Sequence, residues 1–191
     1  MVKVNEAQIF AAAREVLNEE GYDKARLADV ARKLDITSAA LYKHFKNKED
    51  LFDETLQDWI DKVDQPIFDA NERAKPDERE DRLHDWLWLL ASQRQQHFID
   101  EPELTKLFAE RLRANHELLN QRLVSFSEIV ENIMAWDTFR HQRGVTVMQT
   151  FVMFYHPYFV NAWQDPLLKT LFESTWLEIK PIVSQSDAKN D

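Results

Sequence analysis

The run Ile36-Thr37-Ser38-Ala39-Ala40-Leu41-Tyr42-Lys43-His44-Phe45 sets a phenol, an ammonium and an imidazole side by side, after a stretch of small residues. At about 100° per residue, a helix over Ser38–Phe45 puts Leu41 and Phe45 on one side. Ser38, Ala39, Tyr42 and Lys43 then fan across the other. Thr37 stands where an N-cap belongs. Small residues at the start of such a helix let its backbone come close to base edges. A tyrosine hydroxyl and a mobile lysine can reach phosphates or bases. The chemistry on offer is therefore non-covalent reading of a nucleic-acid duplex.

Three elements would have to position those groups. Asn5 and Gln8 form a capping-box pattern, followed by Ile9, Phe10, Ala13, Val16 and Leu17 at helical spacing. Gly21 sits where a left-handed residue would end that helix. A second helix spans Leu27 to Leu34 with Leu27, Val30, Ala31 and Leu34 inward, although Arg26 is a poor cap for it. Asp35 falls in a turn that calls for positive φ, which Asp tolerates better than most residues. Beyond the reading segment, Asn47 caps a further helix whose free amides, with Lys48 beside them, could seat a phosphate. Two short helices around a tight turn, the second facing outward, make a helix-turn-helix. Residues 24–48 hold seven basic residues against two acidic ones, a local charge of +5 in a chain of net charge −10. A basic patch on an acidic protein is the electrostatic footprint of DNA binding.

These residues are similar to the tetracycline-repressor (TetR) family of transcriptional regulators. The resemblance rests on Gly21-Tyr22, on Leu27-Ala28-Asp29-Val30-Ala31, on Ile36 to Phe45, and on Asn47-Lys48-Glu49-Asp50-Leu51-Phe52. It covers about residues 5–55, with order and spacing agreeing through three helices. It implies phosphate contacts from Tyr42, His44 and Lys48, and groove contacts from Thr37 to Lys43, among them Ser38 and Ala39. Arg26 stands where the family usually has a capping hydroxyl, and a charge there can replace the hydroxyl's phosphate contact. Asp35 replaces a common Gly. The resemblance also implies an all-helical dimer with a ligand-responsive C-terminal domain, hence a DNA-binding domain at 1–47 and a ligand-binding and dimerisation domain at 48–191.

Composition narrows the other readings. Two glycines, at 21 and 144, cannot build a phosphate-binding loop or a dinucleotide fingerprint. The absence of cysteine excludes disulfides and thiolate metal sites. His116-Glu117 is followed by Leu-Leu-Asn, which breaks the zinc-protease pattern, and the six histidines are scattered. Nothing assembles a nucleophile, a base and an oxyanion site. No enzyme, cofactor or metal is expected. The N-terminus does not read as a signal peptide and no run of about 20 apolar residues occurs, so a cytoplasmic protein without membrane association is expected. Long 3.6-residue patterns with no convincing strand give an all-α chain.

Past the reading head, helices are expected from Asn47 to about Val63, with Pro66 interrupting, and over about Glu78–Gln96. A long stripe follows from Leu104 to Ile133, its break near Arg113–His116 left open. Thr138–Trp163 is expected to form a helix disturbed by Pro157. A last helix runs from Asp165-Pro166 to about Val183, with Ser184–Asp191 frayed. Val147, Phe151, Phe154, Tyr155 and Tyr158, then Leu168, Leu171, Phe172 and Ile182, make the last two helices apolar on more than one side. Such helices suit a two-fold, four-helix contact. Two reading heads about 34–36 Å apart would read a palindrome. A cavity in the C-terminal bundle would draw on Trp86, Leu90, Phe108, Phe126, Met134, Phe151 and Tyr155, with Gln149 or His156 as polar anchors, and hold a small apolar or amphipathic effector. The expectation is a homodimeric repressor released by that effector. Two alternatives stay open: control by a protein partner through the C-terminal surface, and a helical ligand carrier with an idle helix-turn-helix.

Overall fold

Asn5 opens the first helix by accepting the Gln8 N–H at 2.9 Å while the Gln8 side chain accepts the Asn5 N–H at 3.0 Å, a closed capping box. The computed structural model describes residues 4–184. Helix α1 spans Glu6–Lys24 and buries Ile9, Phe10, Ala13, Val16 and Leu17. Gly21 does not end it in the left-handed helical well. At φ 70° and ψ 161° it makes a sharper kink, in a region open essentially to glycine alone. Helix α2, Leu27–Lys33, starts at Arg26 with no side-chain cap, and Asp35 turns the chain at φ 53°.

Helix α3 is shorter than its pattern suggests: Ser38–Leu41, followed by a turn through His44. Thr37 provides no side-chain cap, so the start is held only by backbone bonds. Phe45 N–H still bonds Leu41 O at 2.9 Å, but Lys46 N–H leaves the helical ladder for the Asp50 carboxylate at 2.8 Å. That carboxylate belongs to the next helix, α4, Lys48–Asp69, where the Asn47 side chain accepts from Asp50 N–H.

Helix α4 passes straight through Pro66 instead of stopping near Val63. A proline removes one ladder bond. Here the final turn is retained by burial of Ile67, by the Trp86 indole donating to Ile67 O at 3.1 Å, and by Phe68 stacking on Phe126 at 5.6 Å. Helix α5, Arg79–Asp100, runs four residues beyond Gln96 and carries Phe98 into the core. Helix α6, Pro102–Ala114, ends at Asn115. The Asn115 side chain accepts from Glu117 and Leu118 N–H and starts α7, His116–Met134. That places the break left open in the long stripe.

The helix expected over Thr138–Trp163 is in fact four pieces. A 3-10 turn at Phe139–His141 precedes α8, Gln142–Thr150; α9, Val152–Tyr155, follows; and a 3-10 segment spans Pro157–Ala162. Arg140 and His141 both have positive φ, near 54°. His156 is extended because it precedes a proline. Gly144 lets α8 cross α7 at short range, since a Cβ there would lie 2.3 Å from Ser127 O. The last helix, α10, spans Leu168–Ser184 and so begins two residues after Pro166. Of the frayed end expected at Ser184–Asp191, residues 185–191 lie outside the described residues.

Helix α5 is the centre of the bundle, touching α4, α6, α7, α9 and α10. Trp59, Phe98, Phe108 and Trp163 pack ring on ring around it, with Phe98 centred 5.3, 5.9 and 5.9 Å from the other three. Helix α1 lies on α4 and α6, which joins the N-terminal head to the body. No strand occurs among the described residues, and no helix of theirs is long and apolar enough to cross a membrane.

Candidate functional site

The reading segment is held from beneath. Leu41 and Phe45 are buried, the latter ring 6.2 Å from that of Phe10, so the residues between them must face out. Tyr42 is 59% exposed despite its aromatic ring. Lys43, His44, Thr37 and Ala39 are exposed, Ser38 is half-buried, and Arg26 stands exposed ahead of α2. The basic footprint is smaller than a charge count suggests. Lys33 is gripped by Glu19 and Glu15, at 2.8 and 3.2 Å, and those hydrogen bonds raise its pKa. Arg32 pairs with Asp29. Among the described residues no ion pair engages Arg26, Lys43 or Lys46, so their charges are not offset by a neighbouring carboxylate.

Lys48 points inward. Its ammonium donates to the backbone carbonyls of Tyr22 and Asp23 and lies 4.4 Å from the centre of the Tyr22 ring. Arg111, on α6, covers the same ring at 5.3 Å, donates to the Tyr22 hydroxyl at 3.0 Å and pairs with Asp53 of α4 at 2.7 Å. Tyr22 is thus clamped between two cations from the body. The first turn of α4, expected as a phosphate seat, already contains the Asp50 carboxylate bonded to Lys46 N–H.

At the far end of α4 lies a second constellation. Asp64 is fully buried and accepts a two-point grip from Arg94 of α5, Nε to Oδ1 at 2.9 Å and Nη2 to Oδ2 at 2.7 Å. Arg122 of α7 donates to the same Oδ2 at 3.0 Å. Arg94 and Arg122 border a cavity of about 500 Å³ walled by Phe108, Leu112, Leu119, Leu123, Phe126, Val152 and Phe159. Burial pushes the Tyr155 phenol up to about 12, and its hydroxyl donates to Met148 O at 3.1 Å. His156 is driven down to about 4 by burial and by Arg94, so its ring is neutral near pH 7. Its Nδ1 accepts from Tyr158 N–H at 3.3 Å, which leaves the ring proton on Nε2.

Residues 9–55 match the family model described as bacterial regulatory proteins, tetR family. The head of the chain is therefore similar to that of the TetR family. The chain is 34% identical over 64 residues to the fatty acid metabolism regulator protein of Bacillus subtilis, and 32% identical over 81 residues to the tetracycline repressor protein class G of Vibrio anguillarum. These matches cover 31% and 42% of this chain, and they span only about a third of the relatives, 33% and 35% of their lengths. The fold continues further. FadR from Bacillus subtilis, solved in complex with stearoyl-CoA, superposes with a TM-score of 0.57 over 92% of this chain and 97% of that one, at 22% identity.

Of the nine cavity residues named from sequence, five line the cavity and four do not. Phe108, Phe126, Gln149 and Tyr155 line the cavity, as does His156. Trp86, Leu90, Met134 and Phe151 do not: they are core residues, each at most 2% exposed. Sequence reasoning missed Arg94, Arg122 and Asp64. A signal existed, because Asp64 and Arg94 extend the apolar stripes of α4 and α5 at helical spacing (Ile60 to Asp64, Leu90 to Arg94). Opposite charges at core positions of adjacent helices mark a buried pair.

Proposed function

We propose that the protein is a homodimeric transcriptional regulator that reads a palindromic DNA operator with its α2–α3 unit and releases it when an amphipathic ligand fills the cavity beside Arg94. The observation carrying this reading is the outward display of Tyr42, Lys43 and His44 on a turn pinned by Leu41 and Phe45, within a head of TetR type. Thr37, Ser38 and Ala39 approach base edges. Tyr42, Lys43, His44 and Arg26 take phosphates or bases, and Lys48 does so once it leaves Tyr22.

Two-fold assembly is supported by α10 and its approach, where Leu167, Leu171, Leu177 and Ile182 are exposed. The apolar side chains of α8 and α9 contribute less to such a contact than their pattern suggests, since Val147, Met148, Phe151 and Phe154 are spent on the protomer's own core. The ligand is supported by the apolar walls of the cavity, by a volume within the usual range for small-molecule sites, and by the stearoyl-CoA held by the Bacillus subtilis relative. Helix α4 spans both sites. Its Lys48 end holds Tyr22 of the head, and its Asp64, about 24 Å away at 1.5 Å per residue, grips Arg94 and Arg122 of the cavity lining. A ligand that prefers one setting of α4 shifts the head by that preference, which is repression relieved by population shift.

Selection from random duplexes at two salt concentrations tests the reading. The expected result is an inverted repeat whose affinity falls steeply with salt. Weak, sequence-independent binding at both salts overturns it.

A further inference from the structure

The chemistry of the ligand's head group is written in the charge balance at Asp64. Arg94 is 2% exposed, Asp64 is fully buried, and the Arg122 side chain is 14% exposed. At the cavity, then, two guanidinium groups, Arg94 buried and Arg122 at the edge, share one buried carboxylate. The fourth member, Asp61, accepts from Arg122 Nη2 at 3.3 Å, but its side chain is 55% exposed and its field is largely screened by water. The buried balance is one positive charge in excess, against a cavity with apolar walls.

An unbalanced buried charge is costly, and a two-for-one arrangement is satisfied when a second anion arrives. The donors for it are in place. Three N–H groups of Arg94 are used, by the two Asp64 oxygens and by Tyr155 O at 3.4 Å, which leaves two of its five. Arg122 uses two of its five. The guanidinium of Arg94 lies 4.9 Å from the centre of the Phe126 ring, which covers its face and leaves its edge for hydrogen bonding. His156 adds a neutral N–H at the cavity wall.

We infer that this cavity selects an amphipath with a carboxylate head, seated on Arg94 and Arg122, with its hydrocarbon tail among Leu119, Leu123, Val152 and Phe159. This rests on the cavity being the effector site, as proposed above. The incoming carboxylate competes with Asp64 for the same two guanidinium groups. Asp64 is on α4, so loosening its grip reaches the helix that holds Tyr22. The acidity of the whole chain, at net charge −10, argues against an anionic ligand only at long range; the local charge decides at contact.

Calorimetric titration with a matched series of straight-chain acids and alcohols of about eight to fourteen carbons, each below its micelle concentration, separates the outcomes, with decanoyl-CoA as a third probe. The acids are expected to bind about tenfold or more tighter than the alcohols of equal length, the margin of a charge-assisted hydrogen bond. Arg122→Gln should erase most of that margin and leave the alcohols within about twofold. Asp64→Asn should tighten the acids and not the alcohols. Because Asp64→Asn strands a buried arginine, its fold is checked by thermal melting; Arg122→Gln, at the cavity edge, decides alone if it does not fold. Equal affinity of acids and alcohols, a preference that survives Arg122→Gln, or binding of the thioester alone overturns the carboxylate seat while leaving the cavity as effector site. If no probe binds to protein that still recognises its operator, both readings fall.

Discussion

The head and the body of this molecule spend their side chains differently. In the head, short helices leave Tyr42, Lys43 and His44 in water and bury little more than Leu41, Phe45 and the inner faces of α1 and α2. In the body, Trp59, Phe98, Phe108 and Trp163 interlock, and charge itself is buried at Asp64 and Arg94. The head is built to present a surface and tolerates little change in it. The body encloses a volume, and many apolar combinations could enclose a similar one. That contrast agrees with where the relatives match: the family model is confined to residues 9–55, while the fold as a whole is shared over 92% of the chain at only 22% identity.

Substitutions can break the contrast, and the largest effect belongs to the body. Phe98→Ala removes a ring in contact with three others and should cost about 3–5 kcal/mol of stability by urea unfolding, with the operator affinity of the folded fraction unchanged. The reverse pattern is expected in the head. Tyr42→Ala with Lys43→Ala should weaken operator binding by about a hundredfold and leave the urea midpoint where it was. An unchanged operator affinity would remove α3 from the groove. Gly144→Ala comes next. Its Cβ meets Ser127 O, so α7 and α8 must separate, at about 1–3 kcal/mol by thermal melting.

The smallest effect is a pH dependence confined to the body. His156 titrates at about 4 when folded, against 6.5 ordinarily, because burial and Arg94 oppose its charge. Between those values the unfolded chain takes up a proton that the folded one refuses. Stability should therefore fall as pH drops from about 6.5 towards 4, and His156→Gln should flatten that slope. A slope unchanged by the substitution would assign it to the carboxylates instead.

Legibility in the sequence follows the same division. The caps at Asn5 and Asn47 and the positive φ at Asp35 depend on neighbours a few residues away, so the residue types announce them. The breaks around α8 do not follow local rules: Arg140 holds positive φ although arginine does not favour it, and His141 beside it does the same. The buried Glu131, which accepts from Thr138, from His141 Nδ1 at 3.2 Å and from Gly144 N–H at 3.3 Å, is what organises that turn. The run through Pro66 is likewise a tertiary decision, made by Trp86 and Phe126. In the cavity, apolar periodicity identifies which residues are buried but not which of them border empty space. Four of the nine residues named for it are therefore simply core.

The clamp on Tyr22 bears on how such a protein can be taken apart and recombined. A graft joined at residue 47 would carry Tyr22 away from Lys48, Asp53 and Arg111, and leave behind the contacts that fix its orientation. On the proposed mechanism, a reading head transplanted in this way would keep its operator preference and lose its response to the ligand, unless the recipient's α4 and α6 brought matching cations. On that mechanism the unit to be moved for regulation is wider than the unit for recognition, and it includes an arginine 89 positions downstream of the tyrosine it holds.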